Sequence, residues 1–154
     1  MKLQFTSSLL CVSMFISCTN SGDQTGKLSA PLTGTWKLLS SVTIDKGQRT
    51  DLDYTKNQQM IKIINDTHFS FLRHDVKRDQ NGKNNFDAGG GRYTLSGDQY
   101  VEYLDYYNDP NWEGKNFKFK IQIKNDTLIQ TGIEKVEAAG IDRQITETYI
   151  RMKQ

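Results

Sequence analysis

The sequence predicts an all-β protein built as an antiparallel up-and-down barrel of about eight to ten strands. Three observations support this fold class. Apolar and polar residues alternate repeatedly from Leu32 onward, short turn sequences separate the alternating segments, and no segment of useful length has helical periodicity. Roughly 120 residues remain for the strands, which suits a closed or strongly curled sheet. A two-sheet sandwich is the competing architecture.

The strongest alternation lies in the segment FKFKIQIK at residues 117–124. Its apolar residues share one face and its polar residues share the other, so one face is predicted to be buried and the other wet. Asn125-Asp126 interrupts the pattern, and TLIQT at residues 127–131 resumes it. This arrangement predicts a tight hairpin, because Asn and Asp tolerate a left-handed backbone.

Two more hairpins and a closing strand follow from the same signals. Residues 60–64 and 67–71 flank Asn65-Asp66, and residues 92–95 and 99–104 flank Ser96-Gly97-Asp98. The last strand is predicted at residues 143–152. The triplet at residues 89–91 is Gly-Gly-Gly, which fits the bend that a closing sheet requires. The alternative for the triplet is a loose loop that continues the preceding polar stretch.

Composition narrows the possible partners. The chain has 154 residues, 25% charged and 36% hydrophobic, which predicts one globular domain with a polar surface. A net charge of +2 without a basic stripe argues against a nucleic-acid partner. The glycine triplet lacks the Gly-Lys-Ser and helix of a phosphate-binding loop, and two histidines are too few for an ordinary zinc site. We therefore expect no cofactor and no metal.

The N-terminus predicts export. Lys2 precedes a short apolar run at residues 9–16, so residues 1–17 are predicted to be a signal peptide. Ser17-Cys18 resembles a bacterial lipobox, which implies cleavage before Cys18 and lipid attachment to its thiol. The alternative is an ordinary signal peptide in which Cys18 is incidental. If the lipobox interpretation is correct, the membrane is a partner through the lipid on Cys18, in the periplasm or at the outer membrane.

Residues 18–30 are predicted to be the lipidated cysteine and a flexible tether, because they are polar and lack apolar periodicity. The barrel domain is predicted at residues 31–154. The two cysteines of the chain, Cys11 and Cys18, both precede that domain, so it should contain no disulfide. The oligomeric state stays open.

The opening GTWKLLS, with Gly34 and Trp36, and Arg151 late in the last strand resemble the lipocalin and fatty-acid-binding superfamily. In that superfamily the Trp closes the barrel base and an Arg of the last strand can stack on it. The resemblance therefore implies a structural role in barrel closure for Gly34, Trp36 and Arg151, with cation–π attraction as its physical basis.

The fatty-acid-binding proteins also end with Arg-x-Tyr, which grips a fatty-acid carboxylate. Here the matching residues are Glu147-Thr148-Tyr149, and a Glu would repel a carboxylate. A fatty acid is therefore not the expected ligand. A bacterial family of secreted, lipocalin-like proteins is similar over more of residues 32–152, through GTWKLLS, IKIINDTHFSF, GGGRYTLSGDQYVEYLDY and ETYIRM. That resemblance implies a lipocalin-like barrel and export more strongly than it implies a function.

The expected function is to bind a small, largely apolar molecule non-covalently inside the barrel. Strand phase selects the candidate ligand-binding residues, which are Phe69, Phe71, Tyr100, Glu102, Phe119, Ile121, Glu147 and Tyr149. The two carboxylates need partners if they point inward, and Arg143 and Arg92 are the candidates. Alternatively, both carboxylates face solvent. Tyr106, Tyr107 and Trp112 flank Pro110 and can stack on a ligand at the barrel mouth or cover a loop.

Two other functions stay open. One is a structural or interaction lipoprotein whose barrel is filled by its own side chains. The other is a small envelope enzyme that uses His68 with Glu102 or Glu147 for proton transfer. We expect the protein not to be an enzyme, because the sequence contains no nucleophile elbow, metal triad or cysteine in the predicted barrel domain.

Overall fold

A computed structural model of the chain describes Leu28 and residues 30–153. The predicted signal peptide and Cys18 lie outside the described residues, as does all of the predicted tether except Leu28 and Ala30. In the part of the chain that is described, no helix is long and apolar enough to cross a membrane.

Within residues 30–153 the fold consists of ten strands and one short 3-10 turn, Glu137–Ala139, which confirms the predicted all-β class. The strands are β1 (Gly34–Asp45), β2 (Gln48–Asp53), β3 (Gln58–Ile64), β4 (His68–Asp75), β5 (Phe86–Ser96), β6 (Gln99–Tyr103), β7 (Tyr106–Tyr107), β8 (Asn116–Lys124), β9 (Thr127–Val136) and β10 (Ile141–Arg151).

Eight of these strands form a closed antiparallel barrel in the order β1-β3-β4-β5-β6-β8-β9-β10, and β10 pairs back with β1. The two remaining strands extend the wall: β2 pairs with the second half of β1, and β7 pairs with β5 at Gly89 and Gly90. Because the sheet closes on itself, the predicted barrel is confirmed and the competing sandwich is wrong.

The three predicted hairpins are β3–β4, β5–β6 and β8–β9. Asn125 adopts a φ of 54°, the left-handed conformation that the tight turn requires. In β8 buried and exposed residues alternate without exception, as predicted. The strand β2 was not predicted, because all six of its residues are exposed and no alternation marks it.

The glycine triplet lies inside β5, so its interpretation as a loose loop is wrong. A Cβ on Gly91 would lie 1.9 Å from the carbonyl oxygen of Tyr103. Only glycine permits this approach of two backbones, at the point where the partner of β5 changes from β6 to β7.

The two ends of the barrel differ. We call the end that contains the β3–β4, β5–β6 and β8–β9 turns and the start of β1 the closed end. Large apolar side chains fill it, and Trp36, Leu38, Tyr100, Leu128 and Tyr149 are each 0% exposed. The opposite end, where β2 and β7 lie, is the open end. A register shift in β1 between Leu38 and Ser40 changes the phase of this strand, so that Ser41, Thr43 and Asp45 face inward there.

Candidate functional site

A cavity of about 600 Å³ occupies the open end of the barrel. One side of it is aromatic, and we call Phe71, Tyr107, Trp112 and Phe117 the aromatic wall. The ring centroids are 6.0 Å apart from Phe71 to Tyr107, 6.5 Å from Tyr107 to Trp112 and 5.6 Å from Trp112 to Phe117. This continuous row offers a surface on which an apolar or flat group can pack.

Charged pairs stand around the same cavity. On the β9–β10 side, Arg143 donates to Glu134 at 2.7 Å. On the β4–β5 side, Arg73 donates to Asp87 at 2.7 Å. The hydroxyl of Tyr107 also donates to Asp87, at 3.3 Å, and burial together with the Asp87 charge raises the pKa of this phenol to about 12.

The bottom of the cavity is polar, and we call Lys62, Glu102, Gln130 and Glu147 the polar floor. The ammonium of Lys62 donates to Glu102 Oε1 at 2.7 Å and to Gln130 Oε1 at 3.2 Å. Gln130 Nε2 in turn donates to Glu147 Oε2 at 3.3 Å, and the hydroxyl of Tyr149 donates to the same oxygen at 2.8 Å. One hydrogen-bonded chain therefore crosses the barrel from β3 and β6 to β9 and β10.

Burial sets the electrostatics of the polar floor. The side chain of Lys62 is 3% exposed. Burial acts to lower its pKa, but attraction to Glu102 and Glu147 outweighs it and raises the pKa, so this lysine is charged. Burial raises the pKa of Glu147, against the opposing effects of Lys62 and the Tyr149 hydrogen bond. The ammonium of Lys62 also lies 5.3 Å from the ring centroid of Tyr149 and 5.8 Å from that of Phe69.

The eight predicted ligand-binding residues fall into two groups. Phe71, Glu102, Phe119 and Glu147 line the cavity, and Glu102 is 7% exposed. Phe69, Tyr100, Ile121 and Tyr149 belong to the packed core beneath the polar floor. Members of the second group support the floor: Tyr149 bonds Glu147 and Phe69 contacts Lys62. The hydroxyl of Tyr100 is buried and has no hydrogen-bond partner among the described residues.

The two arginines suggested as partners of Glu102 and Glu147 have other partners, so that suggestion is wrong. Arg143 lines the cavity but bonds Glu134. Arg92 lies on the outer surface, where its Nε donates to Asp105 at 2.9 Å. Lys62 and Gln130 were not predicted as site residues, and the sequence marks Lys62 only as a single lysine inside an apolar run, MIKII.

His68 is exposed, and its Nδ1 lies 2.7 Å from the hydroxyl of Thr67. It stands on the outside of the wall, whereas Glu102 and Glu147 line the inside. A direct proton transfer between this histidine and either carboxylate has no path through the intact barrel wall. Of the aromatics that flank Pro110, Tyr107 and Trp112 line the cavity and Tyr106 is 70% exposed.

The residues assigned to barrel closure meet at the closed end. The guanidinium carbon of Arg151 lies 4.0 Å from the centroid of the Trp36 ring. Arg151 also donates to the carbonyl oxygens of Thr33 and Pro31, and Trp36 Nε1 donates to that of Leu32 at 2.8 Å. The segment that precedes β1 is thereby fixed across the base.

Comparison with known proteins assigns the chain to a family. Residues 31–154 match the family described as Domain of unknown function (DUF4488). The chain belongs to this family. Among curated proteins, no match to this DUF4488 chain was found.

Solved structures similar to this DUF4488 chain include two from Bacteroides. One is a lipocalin-like protein from Bacteroides uniformis, with 17% identity, a TM-score of 0.47, and coverage of 79% of this chain and 98% of that chain. Another is a protein from Bacteroides eggerthii, with 13% identity, a TM-score of 0.46, and coverage of 78% and 98%. At these identities the likeness concerns the fold alone.

The kind of molecule that the cavity of this DUF4488 barrel can hold therefore follows from the side chains that line it. It combines an aromatic wall with a buried, hydrogen-bonded polar floor. Such a lining can hold a molecule that has an apolar body and a polar group. In the described part of the chain, no three His, Cys, Asp or Glu residues are arranged to hold a metal ion.

Proposed function

We propose that this protein binds a small molecule non-covalently in the cavity at the open end of its barrel. The observation that carries the proposal is the unequal filling of the interior. Core side chains pack the closed end, whereas about 600 Å³ above the polar floor is unfilled. This volume lies within the range of roughly 300–1,000 Å³ that is typical of ligand pockets.

The lining favours a ligand of mixed character. The aromatic wall suits the largely apolar body that the sequence led us to expect. The polar floor suits a hydrogen-bonding or charged group, because a purely apolar ligand would leave Lys62, Glu102 and Glu147 covered without a new partner. We therefore propose an amphipathic ligand whose polar end enters first.

The two alternative functions have less support. A structural protein with a filled barrel needs no cavity, and this barrel contains one. An enzyme that pairs His68 with Glu102 or Glu147 needs these groups on one side of the wall, and they lie on opposite sides. We accordingly propose a binding protein rather than an enzyme.

The first test is to purify the full-length chain from the cells that make it and to identify bound small molecules by mass spectrometry. One compound at a stoichiometric level is the expected result. A cavity-filling variant, Thr43→Trp, should lose it, because Thr43 lines the cavity. The matched control, Ile44→Trp, adds the same side chain on the outer face of β1 and should keep the compound. Equal retention by both variants would overturn the proposal.

We also propose that the protein is exported and acts at the cell envelope, held by lipid on Cys18. The bonds from Arg151 and Trp36 to residues 31–33 support one orientation, since they fix the start of the domain at the closed end. A tether attached there would join the domain to the membrane from the end opposite the cavity mouth. Incorporation of labelled fatty acid into the wild type but not into Cys18→Ser is the expected result; equal labelling would contradict the anchor.

A further inference from the structure

The charges that line the cavity are unbalanced. Five carboxylates and three cationic side chains face it, and each cation is already matched by one carboxylate. The three ion pairs each have a nitrogen–oxygen distance of 2.7 Å and are Lys62–Glu102, Arg73–Asp87 and Arg143–Glu134.

Two carboxylates remain, Glu147 and Asp45, and neither forms an ion pair with a described residue. Glu147 accepts hydrogen bonds from two neutral donors, Gln130 and Tyr149. Asp45 lies opposite Arg143 in the β1–β10 register, but the guanidinium bonds Glu134 instead. The Oδ1 atom of Asp45 is buried and has no hydrogen-bond partner among the described residues.

We propose that the cavity selects a ligand with a positively charged amine on an aromatic or aliphatic body, and that Glu147 is the counter-ion of this amine. This inference rests on the proposed binding function and adds the chemical class of the ligand. Asp45 at the mouth contributes a second negative charge along the path of entry.

Three physical arguments favour a cation over an anion or a neutral molecule. An ammonium would give Glu147 the ionic partner that it lacks, and charge-assisted hydrogen bonds are stronger than neutral ones. The aromatic wall attracts cations through the ring quadrupoles. A carboxylate ligand, in contrast, would meet two unpaired carboxylates while the three cations are already engaged.

Burial of Glu147 supports the same conclusion. Its pKa is raised because burial disfavours the charged carboxylate, and the charge on Lys62 compensates only in part, since that ammonium bonds Glu102 and Gln130. An amine beside Glu147 would stabilise the charged form. Binding should therefore be strongest for ligands that carry their own positive charge.

The test compares three probes that share one body and differ in charge: naphthylethylamine, naphthylethanol and naphthylacetate. Isothermal titration calorimetry on the full-length protein gives each affinity. The amine should bind at least about tenfold more tightly than the alcohol, and the carboxylate should bind most weakly. Binding of the alcohol or the carboxylate as tight as that of the amine would overturn the proposal.

Variants test whether Glu147 causes the preference for the amine probe. Glu147→Gln should remove most of the difference between the amine and alcohol affinities, since the amide keeps hydrogen-bonding capacity without charge. A circular dichroism spectrum like that of the wild type shows that this variant is folded. Glu137→Gln makes the same chemical change on an 85% exposed side chain and should behave as wild type. An unchanged preference in Glu147→Gln would overturn its role as counter-ion.

The inference and the proposed function can fail separately. If a neutral or anionic compound co-purifies in a stoichiometric amount, the binding function holds and the cationic class is wrong. If none of the three probes binds, the cationic class is also overturned, whereas the co-purification experiment still decides the binding function on its own.

Discussion

The two tryptophans of this chain lie at opposite ends of the barrel, and their surroundings differ. Trp36 is fully buried at the closed end, where it donates to the carbonyl of Leu32 and carries the guanidinium of Arg151 on its face. Trp112 is half-buried at the open end, where its ring lies against two other members of the aromatic wall, Tyr107 and Phe117.

The contrast shows how one small barrel combines stability with an unfilled interior. The closed end has apolar packing and a fixed base, whereas the open end has ion pairs, aromatic rings and space. The polar floor separates the two, and its hydrogen-bonded chain gives each of its four polar side chains at least one hydrogen-bond partner. Stability should therefore be concentrated below the floor and ligand affinity above it.

The largest expected effect is on stability at the closed end. Trp36→Ala should lower the free energy of unfolding by about 5 kcal/mol, the upper part of the range for such truncations, because Arg151 loses its stacking partner as well. Trp112→Ala should cost much less, since that side chain is only half-buried. Urea unfolding followed by circular dichroism measures both. Equal losses would remove the distinction between the two ends.

The second effect concerns the polar floor itself. Lys62→Met should lower the free energy of unfolding by about 3 kcal/mol, because it leaves the carboxylate of Glu102 buried without its partner. Adding Glu102→Leu should restore most of the loss, since two apolar side chains replace a buried ion pair at little cost. The measurement is again urea unfolding. No rescue by the double variant would show that Lys62 acts through packing rather than through charge.

The fold was predictable because its signals are local. Alternation is strict where a strand has one buried and one exposed face, as in β8, and turn residues mark the tight hairpins. Strand β2 was not predicted, because both of its faces are exposed and its residues therefore do not alternate between apolar and polar. Closure of the sheet followed from strand number and turn length, together with the resemblance at Trp36 and Arg151.

The site was predictable only in part. Strand phase shows which side of the barrel wall a side chain faces, but not whether that side chain lies in the packed core or at the cavity. Tyr100 and Glu102 point inward from one strand, yet Tyr100 lies in the core and Glu102 lines the cavity. Lys62 was hidden for another reason. Both faces of its strand carry apolar residues, so alternation could not show that this lysine faces the interior.

A third, smaller effect on stability is expected at the unpaired carboxylate of Glu147. The pKa of Glu147 is raised in the folded protein above its ordinary value of 4.5, so protonation favours the folded state. The wild type therefore loses stability as the pH rises from this value through the folded pKa, and Glu147→Gln does not. At neutral pH the variant should be more stable than the wild type, and this gain should shrink towards pH 4. Urea unfolding at several pH values measures it; a gain independent of pH would contradict a titrating Glu147.

The smallest effect is expected on the outer surface, at the exposed ion pair Arg92–Asp105, whose nitrogen–oxygen distance of 2.9 Å is close to the 2.7 Å of the buried pair Lys62–Glu102. Arg92 is 64% exposed and bonds Asp105, whose pKa its side-chain and backbone hydrogen bonds lower to about 2. Arg92→Ala should raise the pKa of Asp105 towards 3.8, which carboxyl NMR titration can follow. It should scarcely change stability, because water screens exposed pairs. It should leave amine affinity unchanged, because Asp105 lies outside the cavity lining. A large loss of stability here would mean that burial does not separate the interior pair from the exterior one.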